Sequence, residues 1–256
     1  MIVKVLGAHN AESRDTRLVS LLIDGVLAVD AGSLVSELTF PEQKKIKAIL
    51  LSHGHYDHIK AVPAFAFNNS DHTTKVIATS RTLDILSSHL IDGVLYPEFA
   101  SDVPFLRKAP LQLVPLKPFS RLNIEGYDIM AVPIQHPLDG VGFEITSRDG
   151  KTLFYTGDTG PGLSSIWNHI SPQLIIADLT WPNRLAKSAK DAGHLCPKMF
   201  KEELIEFRRI KGYLPKVVAI HMSPQHESEI LQEVREVGES LGISIDIPRE
   251  GDELVL

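Results

Sequence analysis

The sequence predicts an α/β (α+β) chain folded as a four-layer αββα sandwich, with residues 1–256 forming a single domain. Three observations carry the prediction. The chain falls into two halves, each opening on short strand signals and then passing into helix and strand. A sheet that is apolar on both faces must be covered on both, so two sheets pack together with helices outside. Side chains with metal-ligand chemistry recur at the predicted strand ends, the edge where loops carry function.

The elements follow in order. Residues 2–6, 18–23 and 26–30 are short apolar runs, and Asp24-Gly25 between the last two is a hairpin signal. Residues 46–51 read as a buried strand. Residues 57–67 can open a helix, broken or bent at Pro63. Residues 76–78 are a strand, and Ser80 can cap a helix running to about His89. Residues 92–118 read as irregular, with Pro97, Pro104, Pro110, Pro115 and Pro118. They are also rich in Leu and Phe, which favours a segment covering a site over a linker; a homodimer contact is the other reading. The second half supplies strands at 127–133, 141–147, 152–155 and 174–178, a helix at 197–210, a strand at 217–220 and a helix at 227–241. Residues 148–151 turn between two of these strands.

Composition excludes several classes. The 256 residues are 43% hydrophobic and 23% charged, an ordinary globular balance rather than a disordered or fibrous one. No apolar run approaches the roughly 20 residues that span a bilayer, so no membrane partner is expected. The start, Met1-Ile2-Val3-Lys4-Val5-Leu6-Gly7, lacks the pattern of a secretion signal, and the single Cys196 excludes an internal disulfide. Both fit a cytoplasmic protein. A net charge of −6 argues against a long nucleic-acid partner.

The most informative stretch is Ser52-His53-Gly54-His55-Tyr56-Asp57-His58, directly after the strand at 46–51. Imidazoles and a carboxylate are ligands for zinc, manganese or iron. His53 and His55 can face one ion while Asp57 and His58 face a neighbour. The bland alternative is a solvated His-rich turn. Further metal-type residues end other strands: Asp30 before Ala31-Gly32, His136 after the strand 127–133, Asp158 within Thr156-Gly157-Asp158-Thr159-Gly160, and His221 after residues 217–220. A lone strand-end histidine is ordinarily a capped or solvated residue, but together with the cluster these four extend one pattern.

The order His-x-His-x-Asp-His, then His, Asp and His at successive strand ends, resembles the metallo-β-lactamase-fold hydrolases from Asp30 to His221. The resemblance implies two divalent ions, with zinc first and manganese or iron as alternatives. It places His53, His55 and His136 on the first, Asp57, His58 and His221 on the second, and Asp158 and a hydroxide between them. Asp30 is then an orienting residue behind a ligand histidine.

Asp178 at the end of the strand 174–178 and Gly193-His194 before a helix resemble the phosphodiesterase branch, which includes ribonuclease Z. The segment from His89 to Phe99 and Gly193-His194-Leu195-Cys196-Pro197 resemble the class II cyclic-nucleotide phosphodiesterases. Tyr56 and Tyr96 depart from that family's usual leucine and tryptophan. The implied activity is hydrolysis of a small, 3′,5′-cyclic nucleotide or other small phosphodiester by a metal-bridging hydroxide. His194 would protonate the leaving oxygen, Asp178 would hold the His194 ring, and Asp57 joins them in the catalytic set. Helix capping by His194 and backbone satisfaction by Asp178 are the structural readings of that pair. The alternatives on the same metals are an RNA phosphodiesterase of the ribonuclease Z type, a thiolester or lactone hydrolase, and a diiron oxidoreductase; no basic Gly-rich arm supports the first. Phe99, Tyr96 and Trp181 are candidates for stacking on a base, Asn183 and Arg184 for touching phosphate, and His9 for approaching the site.

Overall fold

The fold is built by alternation. In a computed structural model, which describes residues 1–256 except 102, 104, 105 and 107, Leu21 and Ile23 face one core and Leu22 another. The strand after Lys47 repeats this, with Ala48 and Leu50 on the inner face and Ile49 and Leu51 on the outer. Strands covered on both faces read as unbroken apolar runs, which is why these runs show no polar side.

Among the described residues the chain runs β1 (Ile2–Gly7), β2 (Ser20–Ile23), β3 (Leu27–Val29), α1 (Phe40–Gln43), β4 (Ala48–Leu50), α2 (Tyr56–Ile59), α3 (Val62–Asn68), β5 (Thr74–Ala78), α4 (Ser80–His89) and β6 (Leu111–Pro115). It continues with β7 (Arg121–Ile124), β8 (Tyr127–Pro133), β9 (Val141–Thr146), β10 (Thr152–Tyr155), β11 (Leu174–Asp178), α5 (Ala186–Asp191), α6 (Pro197–Lys211), β12 (Lys216–Ile220), α7 (Glu227–Leu241), β13 (Ile245–Asp246) and β14 (Glu253–Val255). The strands form two seven-stranded sheets, ordered β14-β1-β2-β3-β4-β5-β6 and β13-β12-β11-β10-β9-β8-β7. Val5, Val29 and Leu50 meet Phe143, Tyr155 and Ile176 between the sheets. Phe65 of α3 and Leu86 of α4 cover one outer face, and Phe200, Phe207 and Val234 of α6 and α7 cover the other with Trp167. That is the expected four-layer sandwich.

The differences from expectation have local causes. The helix expected over 57–67 is two helices, with Pro63 in the first turn of α3, where its missing N–H costs nothing. Thr79, not Ser80, caps α4: its Oγ1 accepts from the Thr82 N–H at 3.2 Å. Residues 111–115 form β6, a parallel partner of β5, inside the segment expected to be irregular. Pro115 lies at the end of this edge strand, a position that proline tolerates, and Pro104 lies outside the described residues. At the hairpin, Asp24 (φ 47°) and Gly25 (φ 72°) take the left-handed pair that a two-residue turn requires. Among the described residues no helix is long and apolar enough to cross a membrane.

Strands β3, β4, β5 and β6 are parallel, as are β10, β11, β12 and β13. Asp30, the His53–His58 segment, Asp158, Asp178 and His221 therefore leave their strands at one edge.

Candidate metal centre

Five imidazoles and two carboxylates converge at that edge. His53, His55, His136 and Asp158 form one group, and Asp57, His58, His221 and Asp158 a second; in each, the ligand atoms lie within 4.8 Å of one another. Asp158 belongs to both.

Hydrogen bonds behind the cluster set which ring nitrogen faces it. Nδ1 of His58 lies 2.7 Å from Asp30 Oδ2, and Nδ1 of His136 lies 3.0 Å from the Gly193 carbonyl oxygen. Both acceptors require a proton on Nδ1, leaving the Nε2 lone pair toward the centre. Ser52 Oγ donates to Asp30 Oδ2 and so accepts from His53 Nδ1, at 3.1 Å. Thr180 Oγ1 donates to Asp178 Oδ1 and accepts from His221 Nδ1, at 2.7 Å. The consequence is a conflict that a cation resolves. His53 Nε2 and His136 Nε2 lie 3.0 and 3.1 Å from His55 Nδ1, so three ring nitrogens meet with at most one proton among them. His58 Nε2 and Asp158 Oδ1 are buried with no hydrogen-bond partner among the described residues. Buried polar atoms are almost always paired, and lone pairs converging in this way fit a divalent metal ion.

The electrostatics agree. Burial, with the neighbouring His58, pushes His53 well below the usual imidazole range, and burial lowers His55 and His136 too. Neutral imidazole is the ligating form. The other half behaves oppositely. Burial would depress His58 and His221, yet Asp158 and Asp30 hold the first well above its usual value, and Asp158 with Asp178 and Asp57 raises the second to about 10. Burial would raise Asp158, but His221 and His58 hold it well below the carboxylate range. This half of the site stays anionic unless positive charge is supplied, and without a metal the imidazoles must supply it as protons.

The backbone yields to the site. Asp30 (φ 54°) and His221 (φ 63°) are non-glycine residues in the left-handed region, a cost tolerated where function over-determines the geometry. The Asp30 N–H bonds the Leu50 carbonyl and the His221 N–H the Ala8 carbonyl, which fixes both turns. Gly157 (φ 60°) lets the chain before Asp158 pass Ser52, whose Cβ would lie 2.9 Å from an added Cβ.

Beside the second group, His194 Nδ1 lies 2.8 Å from Asp178 Oδ2, and its ring stacks on His221 at 5.4 Å. Burial would lower His194, but Asp178 raises it. Cys196, not His194, takes the N-cap position of α6. Asp178 also accepts from the N–H of Thr159, in the loop after β10 rather than in its own turn, at 3.2 Å. Cys196 is buried, and burial raises its thiol.

The other candidates separate. Phe99 is wholly buried and offers no free face, and Tyr96 is half-buried, packed 6.2 Å from it in the outer layer. Trp181 is half-buried, 6.1 Å from His194. Asn183 Oδ1 accepts from the Lys198 N–H at the start of α6, and Arg184 pairs with Glu229; both serve the surface turn. His9 lies 2.7 Å from Glu250 and 3.6 Å from Glu227, outside both ligand groups. Thr180, Ser52 and Tyr155 are the residues that sequence reasoning missed. Only position, at or just after a strand end, marked them.

The chain belongs to the family of the beta-lactamase superfamily domain, whose sequence model matches residues 20–241. No curated protein sequence matches it. Among solved structures it is similar to unliganded yeast PDE1, with a TM-score of 0.85 at 16% identity, covering 100% of this chain and 99% of that one. It is similar to the metallo-beta-lactamase fold protein YhfI from Bacillus subtilis (TM-score 0.77, 18% identity, 99% of each chain). The short form of human tRNase Z matches with a TM-score of 0.72 at 15% identity, covering 100% of this chain and 99% of that one. At these identities the likeness defines the fold alone, an αββα sandwich of the metallo-β-lactamase type, and the His/Asp cluster at its edge suits divalent metal.

Proposed function

We propose that the protein is a metal-dependent phosphodiesterase acting on a small, 3′,5′-cyclic nucleotide. The observation that carries this reading is the Asp178–His194 pair beside the metal-ligand cluster. A phosphodiester leaves an alkoxide that needs a proton, and a positioned imidazole supplies it. The structural likeness to yeast PDE1 supports the same class.

In this reading His53, His55 and His136 hold one divalent ion, Asp57, His58 and His221 hold a second, and Asp158 serves both. Zinc is the expected metal, with manganese and iron compatible with the same donors. Bound there, such ions polarise phosphoryl oxygens and lower the pKa of water. The chain's own groups do the rest. Asp30, Ser52, Gly193 and Thr180 keep the ligand rings turned inward. Asp178 holds His194 with its Nδ1 proton committed, which leaves Nε2 to face the substrate. A water oxygen joins phosphorus, the bond from phosphorus to the ribose O3′ breaks, the doubly protonated His194 ring gives O3′ its Nε2 proton, and the proton the water sheds restores the ring. The product is the 5′-monophosphate.

The test is hydrolysis of 3′,5′-cyclic AMP, 3′,5′-cyclic GMP and bis(p-nitrophenyl) phosphate by protein loaded separately with zinc and manganese, beside thiolester and lactone substrates. Conversion of a cyclic nucleotide to its 5′-monophosphate is expected. Metal-loaded protein that leaves all three phosphodiesters intact would overturn the proposal.

A further inference from the structure

A cavity of about 290 Å³ adjoins His136, and its other walls include Gln135, Pro137, Pro161, Lys190 and Asp191. Its volume is at the lower end for a small-ligand site and suits part of a nucleotide rather than a macromolecule. Its wall chemistry is the informative part. Lys190 and Asp191 are the last two residues of α5 and bring one charge of each sign to the wall. The ion pairs of this region run elsewhere, between Arg184 and Glu229 and between His194 and Asp178. A wall carrying one charge of each sign gives a second phosphate no net attraction, whereas a neutral heterocycle meets a donor in Lys190, an acceptor in Asp191 and both in the Gln135 amide. Pro137 and Pro161 add apolar ring faces.

The cavity is also tied to the chemistry. Gly193, two residues beyond Asp191, takes φ 75° and accepts the His136 Nδ1 proton through its carbonyl, at 3.0 Å. His194 follows it. One short segment thus carries the polar wall, the brace on a ligand histidine and the His194 ring.

From this we infer that the cavity is the nucleobase subsite and that the Lys190–Asp191 pair selects guanine over adenine; the inference rests on the nucleotide phosphodiesterase reading above. A carboxylate accepts two parallel hydrogen bonds from the N1–H and N2–H of guanine, and an ammonium donates to O6. Adenine offers the carboxylate only its single amino group and has no O6 for the ammonium, which is left with a ring nitrogen.

The experiment is calorimetric titration of 5′-GMP and 5′-AMP into zinc-loaded protein, for the wild type, Asp191→Asn and Lys190→Ala, with bis(p-nitrophenyl) phosphate cleavage measured in parallel. The wild type is expected to bind GMP about tenfold more tightly than AMP, and Asp191→Asn to lose that preference while AMP binding stays within about twofold. Lys190→Ala should weaken GMP more than AMP. Equal affinities in the wild type, a preference untouched by Asp191→Asn, or no binding of either nucleotide each overturn the subsite. The diester has no base, so its cleavage reports the phosphodiesterase reading separately. Cleavage without a guanine preference sinks the subsite alone, and absent cleavage sinks the reading of the activity.

Discussion

Asp30 Oδ2 lies 2.7 Å from Nδ1 of His58, and both side chains are fully buried. The same carboxylate accepts from Ser52 N–H and Ser52 Oγ, each at 2.8 Å, and from the Tyr155 hydroxyl at 2.6 Å. Burial and Asp30 push the Tyr155 phenol well above its usual range, so it stays a donor. One side chain thus orients a ligand histidine and ties β3 to the turn after β4 and to β10. Asp30→Asn keeps the shape but loses the charge and presents an amide to four donors. Groups behind metal ligands ordinarily matter 10- to 100-fold in affinity, and breaking a buried charged network costs about 3 kcal/mol. The variant is expected to release zinc to a chelator at least about tenfold more readily and to melt at lower temperature. Unchanged competition curves and melting would show that Asp30 does not brace the site.

Thr180 is the corresponding brace on the other half. Its hydroxyl links Asp178, His221 and, at 3.2 Å, His194 Nδ1. Thr180→Val is nearly isosteric but leaves Asp178 Oδ1 and His221 Nδ1 short of a partner in a buried place, which costs about 1–3 kcal/mol per group. Thr180→Ser retains the hydroxyl. Metal affinity should fall about tenfold in the valine variant and recover in the serine variant. Equal losses in both would point to packing by the methyl group rather than to the hydrogen bonds.

These two braces mark the limit of what the sequence reveals. The ligands were legible because His53 to His58 are contiguous and follow a strand, so local geometry alone brings them together. The strands at 127–133, 152–155 and 174–178 were legible because their apolar side chains serve two cores. Thr180 was not, since its partner His221 is 41 residues away and only the parallel pairing of β11 with β12 joins them. Strand β14 was hidden for a similar reason. Glu253, Leu254 and Val255 have little apolar pattern of their own, and pairing with β1 makes them a strand. In β6 the flanking prolines masked an edge strand.

His9 gives a pH prediction outside the metal centre. Burial would lower this imidazole, but Glu250 and Glu227 hold it above its usual 6.5. A base whose folded value is raised stabilises the fold fully below the unfolded value, and that contribution is lost as pH rises through the folded value. His9→Gln should therefore lower the melting temperature relative to wild type more at pH 6 than at pH 9. A deficit that is the same at both values would assign His9 a packing role only.

The dyad yields the sharpest separation of roles. Asp158→Ala removes a donor from both ligand groups, so bound metal and turnover should fall together for every substrate. His194 also lies within reach of Asp158, Asp178 and His221, but the proposed ligand sets do not include it, so His194→Ala should keep its metal content. Its turnover of a cyclic nucleotide should fall by about 10²–10⁴, the usual worth of a positioned acid. The p-nitrophenolate of bis(p-nitrophenyl) phosphate departs without needing a proton, so cleavage of that substrate should fall far less. The ratio of the two losses is the measurement, because a ring that only supported His221 through its 5.4 Å stack would depress both substrates alike. Asp178→Asn should reproduce the substrate-dependent pattern in weaker form, since the amide can still contact Nδ1 but cannot hold the ring's charge. Equal losses on both substrates in both variants would remove the proton-donor role and leave the pair as a brace for His221.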